Sequence, residues 1–254
     1  MQAALTCADR GHEVVLCEKN ERLGGILLCE EDVPFKRALA RYLRLQSELL
    51  ERAGVDIRTG TRVTPAYAAD IGADAVIAAL GARPVALAIS GIDGPNVLSA
   101  EEAYRHPASV GDRSVILGAG LVGTELAIYL SMLGKKVRIA EMKGEISDGG
   151  NFIHARAIAA EVARYAIDIL FFAKAVLIDA RGVHCETPAG DRYLESDTVI
   201  YASGQRPLRD EARALGRAAS EFYQIGDCVS PKNIMEATAT AYEAARNIGR
   251  PDRV

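Results

Sequence analysis

Short apolar blocks alternate along this chain with stretches whose apolar positions recur at helical spacing. The clearest case is residues 114–141, SVILGAGLVGTELAIYLSMLGKKVRIAE: an apolar block, a glycine turn, an amphipathic run, then a second apolar block ending in an acid. This pattern predicts strand, turn, helix and strand in succession. The pattern returns when the sequence is shifted by 123 positions: Glu141 falls on Glu18, Gly134 on Gly11, Ala127 on Ala4, Ile128 on Leu5, and VRIAE over VVLCE. The position matching Gly123 then falls before Met1, so two units stand in tandem and only the second carries its first strand and glycine turn here.

The same reasoning covers the rest of the chain. Residues 2–10 read as a helix stopped by Gly11, 13–18 as a buried strand, and 35–53 as a helix closed by Gly54, with Leu39, Leu43, Leu49 and Leu50 at helical spacing. A strand follows at 55–58, with another segment near Val63. ADAVIAALGARPV (73–85) is an apolar strand running into Gly81, with Pro84 ending it, and DTVIYASGQRP (197–207) repeats its form. GIDGPNVLSAEEAYRHP reads as a connector with turn chemistry. After Glu141 the pattern predicts a helix at about 153–166, strands near 167–178, 183–187 and 192–194, and a last strand, Gly-Asp turn and helix from FYQIGD onward. The predicted fold class is α/β, with tandem Rossmann-like dinucleotide-binding domains, the second inserted in the first. Residues 1–110 and 207–254 form the outer domain and 111–206 the inner one.

Composition narrows the function. At 254 residues, with 49% hydrophobic and 25% charged positions, the chain can bury two cores. No apolar run nears the ~18 residues a membrane helix needs. A net charge of -4 with dispersed basic residues argues against a nucleic-acid surface and for a small ligand. Cys7, Cys17, Cys29, Cys185 and Cys228 form no CxxC pair and no metal-ligand spacing, which reads as free thiols in a reducing, cytoplasmic setting. His12, His106, His154 and His184 lie apart in sequence and are expected to be surface or packing residues. No catalytic side chain and no metal site stands out, as expected where a cofactor supplies the reactivity.

In GAGLVG, Gly118 permits a tight turn, Gly120 lets a pyrophosphate approach the backbone, and Gly123 lets the helix pack close to the strand. The helix opening there offers N–H groups and a positive dipole end to phosphates. Such a motif alone can be a bare turn; here it stands between strand and helix, with Glu141 about 20 residues on. Glu141 can accept the ribose hydroxyls of NAD and repel the extra phosphate of NADP, with Lys143 partly offsetting that repulsion; the alternative is a plain acid at a strand end. Glu18 holds the matching place for a second dinucleotide or is a plain surface acid. Asp227 in the Gly226-Asp227 turn can accept a hydrogen bond from a sugar-alcohol chain, with the helix start near Ile234 to Glu236 stabilising charge on a ring, or the pair is an ordinary turn.

Together LGG at 23–25, LGARP at 80–84, GAGLVG at 118–123, SGQRP at 203–207 and IGD at 225–227 resemble the two-dinucleotide flavoprotein oxidoreductases, a group that includes thioredoxin reductase and the NADH oxidases. The likeness is strongest to the C-terminal half of old-yellow-enzyme-type NADH:flavin oxidoreductases and 2,4-dienoyl-CoA reductases. There an N-terminal barrel carries FMN, an iron-sulfur cluster and the substrate site, and the C-terminal half passes electrons from NAD(P)H through FAD. The resemblance assigns Gly118, Gly120, Leu121, Val122, Gly123 and Glu141 to the nicotinamide nucleotide, and Glu18, Gly24, Gly25, Val63, Gly81, Gly226 and Asp227 to FAD; Gly204 joins the cofactor-binding glycines. It departs from this chain in three respects: no FAD fingerprint, no barrel and no CxxC. The expectation is an FAD-dependent NAD(P)H oxidoreductase module, incomplete and inactive alone, with NAD(H) bound, FAD bound in the full-length protein, and FMN and the cluster confined to the barrel domain as partner. No nucleic acid and no membrane are expected as partners, and the oligomeric state is left open. The alternatives are a non-catalytic NAD- or ADP-binding module, and a fragment of a stand-alone NADH oxidase or ferredoxin-type reductase. A middle strand lost from the first sheet would leave two ladder edges open or distort it.

Overall fold

The computed structural model describes residues 1–146 and 152–250. The chain divides into two compact units, Met1–Arg83 with Arg206–Val254, and Pro84–Gln205. In chain order the first segment holds α1 (Gln2–Asp9), β1 (Val15–Cys17), two 3-10 turns at Gly25–Glu30 and Pro34–Lys36, α2 (Arg37–Arg52), β2 (Asp56–Arg58), α3 (Pro65–Ile71), β3 (Ala75–Ala78) and β4 (Ala82–Pro84). The central unit holds β5 (Val97–Ser99), α4 (Ala100–Arg105), β6 (Arg113–Leu117), α5 (Leu121–Met132), β7 (Lys136–Ala140), α6 (Phe152–Arg164), β8 (Asp168–Leu170), β9 (Lys174–Asp179), β10 (Gly182–Glu186), β11 (Arg192–Glu195) and β12 (Thr198–Tyr201). The closing segment holds β13 (Gln205–Pro207), α7 (Arg209–Arg213), β14 (Glu221–Gln224) and α8 (Ile234–Asn247).

In the central unit a parallel sheet runs β5-β12-β6-β7-β8. Alternation of side chains across it makes two cores. Val115, Leu117, Ala140 and Val199 face the antiparallel layer β11-β10-β9, meeting Ile178, Val183 and Leu194. Ile116, Ile139 and Ile200, all fully buried, lie at the alternate positions. Helix α5 is buried from Gly123 through Leu130, so the run expected to be amphipathic is apolar on nearly all sides because both of its faces are covered.

The outer unit contains two separate parallel pairs, β1 with β2 (Val15 opposite Asp56) and β14 with β3 (Glu221 opposite Ala75). The repeat makes the comparison direct. β7, the counterpart of β1, and β12, the counterpart of β3, both pair with β6. Among the described residues no strand occupies the corresponding place between β1 and β3, so each keeps one unpaired edge, as the sequence reading anticipated. The two pairs share helical cover: Ala3 and Cys7 of α1 join Ile225 and the alanines of α8, while Ala4 joins Leu50 and Val55, with Val14 packed against both groups.

Two sequence expectations need correction. The connector around 91–107 contains β5, paired with β12 (Val97 opposite Val199), and α4, opened by a capping box in which Ser99 and Glu102 bond reciprocally. Residues 84–110 therefore lie with the central unit, and the first crossing falls at 83/84 in place of about 110. Val63 lies in no regular element; Thr64 caps α3 directly after it.

Candidate dinucleotide-binding sites

In the central unit the backbone turns at Gly118, directly after β6, with φ of 114°, a conformation side-chain-bearing residues rarely adopt. A Cβ there would lie 2.8 Å from the Ala202 carbonyl oxygen, so the strand end after β12 passes tightly against the loop. Gly120 is the N-cap of α5 and offers no side chain. The first intrahelical bond runs from the Thr124 N–H to the Gly120 carbonyl at 3.0 Å. The N–H groups of Leu121, Val122 and Gly123 stand ahead of it and point out along the helix axis. Val122 is 39% exposed. A Cβ on Gly123 would run into the Gly118 carbonyl oxygen, which makes this glycine a packing requirement.

Glu141 follows β7 and reaches back over this loop. Its Oε2 accepts from the Ala119 N–H at 2.6 Å, and its Oε1 from the Lys143 N–H at 2.8 Å. Each oxygen keeps a further acceptor site, so the carboxylate is oriented and can still receive hydroxyl donors. Gly204 also lies in this unit; its carbonyl accepts from the Val85 N–H at 3.0 Å, and the Ser203 hydroxyl donates to the Val85 carbonyl at 2.6 Å. Thus Gly118, Gly120, Leu121, Val122, Gly123 and Glu141 converge on one loop, with Gly204 two residues beyond the Ala202 carbonyl that abuts it.

In the outer unit Glu18 follows β1 but turns locally. Its Oε1 accepts from the Asn20 N–H at 2.9 Å and from Asn20 Nδ2 at 2.8 Å. Gly24 precedes the 3-10 turn that begins with Gly25, wedged near Leu28 and Leu43. Val63, Ala78 and Cys228 share one apolar cluster, bringing the segment after β2, the end of β3 and the Gly-Asp turn together. The Gly81 carbonyl accepts from the Leu208 N–H at 3.1 Å. Gly226 is held by Thr240 of α8, whose Oγ1 accepts its N–H at 3.0 Å, and Cys228 Sγ donates to the carbonyls of Ala78 and Ile225. Burial pushes the Asp227 carboxyl above its ordinary range, against a lowering hydrogen bond from the Lys232 backbone. A groove of about 360 Å³ beside Glu21, Leu23, Arg44, Glu48 and Thr59 opens on the same unit.

Residues 1–245 match the pyridine nucleotide-disulphide oxidoreductase family. The chain belongs to that family. It is 32% identical to a cinnamate reductase of Clostridium sporogenes over 98% of this chain and 37% of that protein. An NADH oxidase of Thermoanaerobacter brockii shares 31% identity over 98% of this chain and 39% of its own length. Among solved structures, a 2-naphthoyl-CoA reductase superposes with a TM-score of 0.91 and 25% identity, over 96% of this chain and 37% of that one. The chain thus spans less than two-fifths of the length of these relatives. The family match and these relatives agree with the tandem, Rossmann-like dinucleotide-binding fold the sequence indicated.

The family's cofactors can be weighed against the residues. For a nicotinamide dinucleotide the fit is good: a glycine loop a Cβ would fill, outward N–H groups on a 12-residue helix, and an oriented acid. For FAD it is partial: Glu18 and the Gly226-Asp227 turn before α8 are in place, while among the described residues no glycine turn of the α5 type lies beside β1 and β3.

Several site residues lie beyond what sequence reasoning named. Ala119 and Ala202 contribute only backbone atoms, so their side chains carried no signal. Thr240 acts across 14 positions, from a helix onto a turn, and no local pattern pointed to it. None of the four histidines is buried, and two have carboxylate neighbours: His184 Nε2 lies 2.9 Å from Asp179 Oδ2, where Tyr193 OH donates to Asp179 Oδ1 at 2.9 Å, and His154 Nε2 is 3.4 Å from buried Glu125. Strand pairing and helix packing create these neighbours. All five cysteines are free thiols, no group of three or more potential ligands among the described residues could hold a metal ion, and no described helix is long and apolar enough to cross a membrane.

Proposed function

We propose that this chain is the electron-entry module of a flavoprotein reductase, taking hydride from NADH in its central unit and holding FAD in its outer unit. The observation that carries the reading is the Gly118–Gly123 loop with the Glu141 carboxylate bonded to its Ala119 N–H. A bound nicotinamide supplies hydride and a bound flavin accepts it. The chain's own part is to bind and orient. The first-turn N–H groups of α5 receive the diphosphate, and Glu141 receives the ribose hydroxyls and repels a 2′-phosphate, which favours NADH over NADPH. Asp227 and the N-terminus of α8 serve the flavin's ribityl chain and ring. The relatives' greater length supports onward passage to a further domain, of the FMN and iron-sulfur barrel kind, that reduces the final acceptor.

Anaerobic titration tests this. The FAD-loaded protein should bleach on NADH addition, and with NADPH only at much higher concentration; a loaded protein whose flavin stays oxidised under NADH refutes it. The divided ladder of the outer unit favours one second reading, a module that holds NADH or ADP without turnover. Calorimetry separates the two, since retained NADH binding with no FAD uptake selects the second.

A further inference from the structure

Phe172 combines two features that rarely coincide. Its φ is 52°, in the left-handed region unusual for a bulky residue, and its side chain is 58% exposed. Neither a core role nor ordinary turn chemistry accounts for a large aromatic there, and strained backbone of this kind clusters where ligands are handled. The turn is tied to the acid of the glycine loop. The Glu141 N–H donates to the Leu170 carbonyl at 2.9 Å, the Ala173 N–H to the Glu141 carbonyl at 2.8 Å, and the Phe172 N–H to the Lys143 carbonyl at 3.1 Å. The ring lies over Gly144: a Cβ on that glycine would run into ring Cζ and come within 2.9 Å of Cε1. The absence of a side chain at 144 therefore makes room for the ring, which is fixed at the carboxyl ends of β7 and β8, where open α/β sheets bind ligands.

We propose that the Phe172 ring is the platform on which the adenine of the dinucleotide stacks when its ribose is held by Glu141. The inference rests on the reading of the central unit as the NADH site and adds the residue that receives the base. Adenine is one glycosidic bond from the ribose, so an acid that fixes the sugar leaves the base within reach of a ring carried on the same hydrogen-bonded turn. An exposed aromatic face suits it, because every base has a π-face.

The test uses variants that leave the backbone undisturbed. Phe172→Asn removes the ring while tolerating left-handed φ, and should raise the Kd for NADH roughly tenfold, corresponding to about 1.4 kcal/mol. Its Kd for reduced nicotinamide mononucleotide, which lacks adenosine, should not change, and Phe172→Tyr should restore NADH affinity. The chain has no tryptophan, so Phe172→Trp gives a single emitter, which AMP and NADH should quench and nicotinamide mononucleotide should not. The proposal is overturned if the unaltered chain binds NADH and Phe172→Asn binds it within twofold, or if AMP leaves the tryptophan emission unchanged. An unaltered chain that takes up no NADH overturns the site reading itself, and this inference with it.

Discussion

Replacing Gly123 by alanine separates the packing of α5 from the phosphate seat proposed for it. The new Cβ would overlap the Gly118 carbonyl oxygen and lie 3.2 Å from the Gly118 carbonyl carbon and 3.3 Å from Ala202 Cβ. Ordinary carbon-to-oxygen contacts are about 3.3–3.6 Å, so the helix must withdraw from β6 by on the order of 1 Å. Alanine gains ~1 kcal/mol over glycine within a helix, and overpacking costs ~1–3 kcal/mol. The net loss of stability is thus between zero and ~2 kcal/mol, a few degrees of apparent Tm for a chain of this size. The same withdrawal moves the N–H groups of Leu121, Val122 and Gly123 off the phosphates. Hydrogen bonds to charged groups are worth ~1.5–3 kcal/mol, so losing one raises the Kd for NADH about 10- to 100-fold. Binding therefore suffers more than folding, and titration calorimetry beside a thermal melt reads both. Gly134→Ala is the control: its φ is 83° with nothing within 4 Å of a Cβ, so it should cost ~1–2 kcal/mol of backbone strain and leave NADH affinity unchanged. If Gly123→Ala binds NADH within twofold of the parent, the loop is a bare turn and the assignment fails.

Three further outcomes follow from the geometry. Glu141→Gln keeps an acceptor for the Ala119 N–H and removes the charge, so the preference for NADH over NADPH should shrink about tenfold, consistent with the loss of ~1.4 kcal/mol of discrimination; steady-state flavin reduction with each nucleotide measures it, and an unchanged ratio refutes the role. Asp179, accepting from the Arg181 N–H, His184 and Tyr193, has its carboxyl lowered from 3.8 to about 2, so its stabilising effect is present above pH ~3.8 and is lost as pH falls toward 2; urea midpoints should fall less steeply across that window in Asp179→Asn than in the parent. Ser99→Ala removes the hydroxyl half of the α4 capping box, the acceptor for the Glu102 N–H, and leaves the backbone N–H of position 99 bonded to the Glu102 carboxylate; it should lower stability by ~0.5–2 kcal/mol, measured by denaturant unfolding, with NADH binding unchanged.

How much was legible depended on whether a signal was local. The elements from β6 to β7 stood out because a buried parallel strand is an apolar block and its turn needs glycine, so Gly118, Gly120, Gly123 and Glu141 could be named from spacing alone. α2, with Leu43 and Leu50 buried at helical spacing, was equally plain. β5 was hidden because a three-residue strand inside a turn-rich connector has no periodicity, and α4 was missed with it although the S-x-x-E box at Ser99 and Glu102 marks its start. The engagement of Glu141 by the Ala119 amide joins a strand end to a loop 22 positions away, the Asp179–His184–Tyr193 cluster comes from the register of paired antiparallel strands, and the left-handed turn at Phe172 falls on a residue type that gives no sign of it.

The way the chain enters and leaves its central unit has a consequence for dissection. The two passages, at 83/84 and 205/206, run on β4 and β13, which are hydrogen-bonded neighbours. Adjacent strands lie only about 4.8 Å apart. Excising the insert therefore leaves two cut ends that a short glycine linker can rejoin, and the excised piece is one continuous stretch needing no splice. Expressing the central piece alone and the rejoined outer piece beside it then measures which of the two folds without the other.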